Sequence, residues 1–82
     1  MSKIVDNRVA KIISKKMIEQ YEKVRQTSIV NMYDYYGVIY AAKALELKEL
    51  AKISLINYKT LLLNFQKLMK HYDIKQPKIN TI

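Results

Sequence analysis

Cysteine and tryptophan are absent, and the 82-residue chain holds one glycine, one proline and one histidine. Without cysteine, and with His71 alone, there is neither a zinc-ligand set nor a disulfide to hold a small fold together. A single glycine, Gly37, makes no phosphate-cradling loop. His71 has no serine or cysteine placed beside it as a nucleophile and reads as a helix-terminal or surface residue. The seven acidic residues are scattered, with no pair spaced as a metal site or a general acid/base dyad. These absences point away from an enzyme, a metal and a cofactor. Long hydrophobic runs are missing too: charges interrupt the N-terminal stretch, and no segment approaches the roughly 20 apolar residues of a membrane span. With no cysteine either, the expectation is a soluble protein of the cytoplasm with no membrane partner.

What the chain does have is 50% hydrophobic residues, seven tyrosines and almost no helix breakers. A domain of this size buries only about 60 to 65% of its unfolded surface. Lacking metals and disulfides, it must rely on helix packing and self-association, so a homo-oligomer is expected.

The spacing predicts an all-α fold, a compact bundle of three to four helices with long first and last helices. One domain spans 1–73, and a tail at 74–82, containing Pro77, is expected to be mobile. Val5, Val9, Ile12, Ile13, Met17, Tyr21 and Val24 recur at helical spacing, predicting one helix of about six turns, started by Ser2 or Asp6 and ended near Gln26 to Ser28. Asn31 or Asp34 caps a second helix, with Gly37 in its first turn and the small residues Ala41, Ala42 and Ala44 allowing close approach. Leu47, Leu50 and Ile53 form the inner side of a separate short helix. Ser54 caps the last helix, whose stripe of Leu55, Tyr58, Leu61, Leu62, Phe65, Leu68, Met69 and Tyr72 is wider than a small bundle needs.

The net charge is +8, carried by the ends and not by the middle. Such a distribution suits nucleic acid, an acidic protein surface or an anionic small molecule, and equally a merely solvated surface. Arg8, Lys11, Lys15 and Lys16 fall on the polar face of the first helix and are candidate phosphate or acidic-partner contacts. Tyr33, Tyr36 and Tyr40 belong to a segment with four tyrosines in eight residues. Tyr36 and Tyr40 share a helix face, either as exposed anchors or as fillers between helices. A helix-turn-helix over 47–63 has Ala51 and Leu61 in place. It has Leu55 where the left-handed turn favours glycine, and no arginine on the reading helix.

From Tyr21 to Phe65 the order of residues resembles a family of short phage-encoded proteins of unknown function, whose centre reads Arg-x-x-Gly-x-x-Asn-Met-aromatic-Asp. Here Arg25 is followed by Ser28 in the glycine place and by Asn31, Met32, Tyr33 and Asp34. Val38, Ala42, Leu50, Tyr58, Leu62 and Phe65 continue the likeness. It implies a phage accessory protein that engages host machinery or blocks host defence. The plainer physical reading has Asn31 and Asp34 as caps, Met32 and Tyr33 pinning the loop to the core, and Arg25 paired with Asp34 or with helix-end carbonyls. The leading expectation is a non-enzymatic oligomer that binds a host protein or nucleoprotein complex through basic faces. The rivals are nucleic-acid binding by the first helix, and oligomeric capture of an anionic nucleotide in a pocket between subunits, with the tyrosines stacking on it and arginine, such as Arg25, or lysine on the phosphates.

Overall fold

A chain with one glycine has few easy places to end a helix, yet three of the ends here are turned by left-handed residues that are not glycine. They are Ser28, Glu46 and Asp73, with φ of 57°, 60° and 54°. The computed structural model describes residues 7–74. Over that span the elements are α1 (Asn7–Ile12), α2 (Lys15–Thr27), α3 (Tyr35–Ala44), α4 (Lys48–Ala51) and α5 (Leu55–His71). Glu46 N–H donates to the Lys43 carbonyl and Leu47 N–H to that of Ala42, at 3.1 and 2.8 Å. Asp73 and Ile74 repeat this paired closure on Lys70 and Met69. Ile74, the first residue of the expected tail, packs against the core; the rest of the tail, Ser2 and Asp6 lie outside the described residues.

The first helix is not the long one that its periodicity predicts. It breaks at Ile13 and Ser14 into α1 and α2, giving five helices among the described residues instead of three to four. Ser14 is extended (φ −74°, ψ 163°), and its Oγ accepts the Met17 N–H at 3.2 Å, so α2 starts with its own cap. The Tyr72 hydroxyl lies 2.8 and 2.7 Å from the Ala10 and Ile13 carbonyls, which the break leaves without helical donors. Ile13 itself is fully buried.

Other expectations hold. α2 ends at Thr27, Asp34 precedes α3 with Gly37 in its first turn, the short α4 is separate, and Ser54 caps α5 by accepting the Asn57 N–H. Asp34 makes no side-chain cap bond, and Asn31 Oδ1 instead accepts the Tyr33 N–H at 2.9 Å, closing the loop ahead of the helix. At Gly37 a Cβ would sit 2.6 Å from Asp34 Oδ2, so the glycine makes room for that carboxylate.

α2 touches α3, α4 and α5, and α1 packs against α5. The core gathers Ile13, Ile18, Val24, Val38, Ala42, Leu50, Leu61 and Leu68. Ala41 and Ala42 are buried as their size suggests, whereas Ala44 faces outward. Two tyrosines tie loops to this core: Tyr58 donates to the Met32 carbonyl and Tyr35 to that of Ile53.

Candidate binding surfaces

Two grooves flank α2, and their chemistry differs. The larger, about 860 Å³, lies between α2 and the α3–α4 connection. Glu19, Glu22, Glu46 and Glu49 line it together with Lys16, Lys23 and Lys48. Four of the seven acidic residues of the chain thus gather on one side. The other groove, about 570 Å³, runs between α2, the loop after it and α5. Arg25, Met32, Tyr33, Leu63, Phe65 and Lys67 are among its lining residues, and no acid is.

Arg25 does not pair with Asp34. Its Nε and Nη2 donate to the Glu22 carboxylate, the shortest distance being 2.8 Å, and its guanidinium stands 5.4 Å from the centre of the Phe65 ring. One helical turn separates Glu22 from Arg25, so the pair forms within α2 and needs no distant partner. The hydrogen bonds that Arg25 donates to Glu22 raise its pKa. Phe65 in turn packs on Tyr21, ring centres 4.8 Å apart, and burial raises the Tyr21 pKa.

The tyrosines of the α3 region divide by role. Tyr35 is half-buried. Tyr33, Tyr36 and Tyr40 are 84%, 75% and 78% exposed, so they do not fill gaps between helices, and of the pair expected to pin the loop only Met32 packs against the core. Tyr36 and Tyr40, four residues apart, form a ladder on the outer face of α3. Arg8, Lys11, Lys15 and Lys16 are all exposed, but the break at Ser14 divides them between α1 and the first turn of α2, so they are not one row on one helix. Of the residues proposed from sequence, Arg25 and Tyr33 come together in one groove, while Lys16 lines the other.

The sequence reading passed over Ile56 and Leu63, which are 76% and 84% exposed on α5. A signal was present: Leu61, Leu62 and Leu63 are consecutive, and at 3.6 residues per turn three in a row do not all face inward. Lys59, Lys67 and Lys70 are exposed on the same helix and form no ion pair among the described residues. Over its 17 residues α5 contains no aspartate or glutamate.

The helix-turn-helix is not formed. α4 is a single turn of four residues, and Leu55 opens α5 in place of a left-handed turn. His71 is the last residue of α5 and meets Tyr72 edge-on at 4.9 Å. Among the described residues no acidic, histidine or cysteine cluster is suited to a metal ion, and no helix is long and apolar enough to cross a membrane. Comparison with protein-family models, with curated proteins and with solved structures finds no match.

Proposed function

We propose that this chain is a non-enzymatic accessory protein of the phage type that binds a host component through basic helical faces. Segregation of charge carries the reading: the acids crowd the groove beside α4, while α5 has none. Lys59, Lys67 and Lys70, which form no ion pair among the described residues, remain available to an acidic surface and steer its approach. Lys11, Lys15 and Lys16 supply a second cationic region across the α1–α2 break. The resemblance around Arg25 to Asp34 supports the phage origin, and the left-handed Ser28 occupies the place where that family carries glycine. The exposed ladder of Tyr36 and Tyr40 is the contact surface of the homo-oligomer. The test is retention of host proteins on the immobilised chain after nuclease digestion, with Lys59→Glu, Lys67→Glu and Lys70→Glu combined as the comparison. A partner kept by the parent and lost by the charge reversal supports the reading. Retention of nothing, or of nucleic acid alone with affinity falling steeply as salt rises, rejects it in favour of nucleic-acid binding.

A second reading draws on the groove that joins Arg25 to Tyr33 and Phe65: capture of an anionic nucleotide, with its base on the rings and its phosphates at Lys67. Calorimetry against cyclic nucleotides at high micromolar concentration tests it, and absence of heat removes it.

A further inference from the structure

On the outer side of α5, Ile56, Lys59, Leu63, Lys67 and Lys70 follow one another at steps of three and four, so they form one stripe about 21 Å long. The inner side of the same helix holds the core residues Tyr58, Leu61 and Leu68. Two aliphatic side chains, 76% and 84% exposed and seven residues apart, share this stripe with lysines that form no ion pair among the described residues. The stripe adjoins the smaller groove, because Leu63 and Lys67 belong to both. There the rings of Phe65 and Tyr33 and the thioether of Met32 offer apolar surface, and the charged lining residues are Lys67 and Arg25, the latter already paired with Glu22.

We propose that this stripe and groove dock an acidic amphipathic helix of the host partner. The inference rests on the host-binding reading above and names the partner's chemistry. Charge complementarity selects the occupant: carboxylates flanking a helix meet Lys59, Lys67 and Lys70, while its large apolar residues, at three- and four-residue spacing, lie against Ile56 and Leu63, and one enters the groove. A nucleic-acid backbone satisfies the lysines but offers no apolar counterpart to Ile56 and Leu63. A bilayer surface covers the stripe and leaves the groove unfilled. A second copy, of net charge +8, gathers four of its acids in a groove interspersed with Lys16, Lys23 and Lys48, and so presents no continuous acidic face among the described residues.

Photoreactive benzoylphenylalanine in place of Leu63 in one variant, and of Lys15 in another, tests this by illumination in host lysate. The expected result is a cross-link from position 63 to an acidic protein segment with apolar residues at helical spacing. Adding Lys59→Glu and Lys67→Glu lowers its yield about tenfold or more while circular dichroism stays unchanged. Cross-links to nucleic acid, lipid, another copy or a segment that is not acidic overturn the proposal, as does a yield indifferent to charge reversal. Host cross-links from position 15 with none from position 63 leave the host-binding reading standing and remove this one. Absence at both positions removes both.

Discussion

The side-chain carbonyl of Gln20 accepts the backbone N–H of Leu50 at 2.8 Å, with both residues buried. Leu50 lies in the first turn of α4, where N–H groups have no helical acceptor, and Leu47 at the cap position has no side-chain oxygen to offer. A residue 30 positions earlier therefore caps the short helix from α2. The bond ties the one-turn segment to α2, alongside the packing of α4 on α2 and α3.

Gln20→Leu keeps the size of the side chain and leaves the Leu50 N–H buried without an acceptor. Stability is expected to fall by about 1 to 3 kcal/mol, read as a lower denaturant midpoint with an unchanged slope. An unchanged midpoint would show that α4 does not depend on this bond.

Ser28→Gly is expected to stabilise the protein. The left-handed backbone costs a residue with a Cβ about 1 to 2 kcal/mol, partly offset by the larger unfolded-state entropy of glycine, leaving a gain of several tenths of a kcal/mol. Thermal melting checks it, with Ser28→Ala as the control that gains nothing.

Burial raises the pKa values of Tyr21, Tyr58 and Tyr72, so the fold favours their neutral phenols. Below pH 10, the ordinary tyrosine value, folded and unfolded chains are both protonated and this contribution is fully present. Above it the unfolded chain loses protons that the folded chain keeps, so stability falls as pH rises. Alkaline titration should show a set of tyrosines ionising together with the loss of helical circular dichroism. Ionisation of all seven tyrosines before helix is lost would contradict this.

Tyr36→Ala and Tyr40→Ala together remove two exposed rings, and each is expected to change stability by no more than about 0.5 kcal/mol. If the ladder holds copies together, light scattering at high micromolar concentration will show the pair of substitutions lowering the mass while the melting temperature at low concentration is kept. An unchanged mass distribution removes the ladder from the oligomer contact.

Much of the fold was legible along the chain. Ser54 and the apolar spacing of 55–72 announced α5, and Leu47, Leu50 and Ile53 announced a separate inward-facing turn. The break at Ser14 was not legible, because Val9, Ile13 and Met17 keep helical spacing across it. The hydroxyl of Tyr72, some sixty residues away, is shared between the two carbonyls that the break exposes. Of the candidate site, the tyrosines and the lysines were visible as residue types. Their grouping was not: Arg25 turned inward to Glu22, one turn away, and left Asp34 alone.

By itself the sequence determined a helical fold and, lacking cysteine, excluded disulfides, because composition and period act locally through caps, breakers and apolar spacing. Tertiary structure decided where helices without glycine stop, and which apolar residues are left in water. Those outcomes depend on a capping side chain from another helix, as with Gln20, and on which of three consecutive leucines the neighbours can cover, as with Leu63.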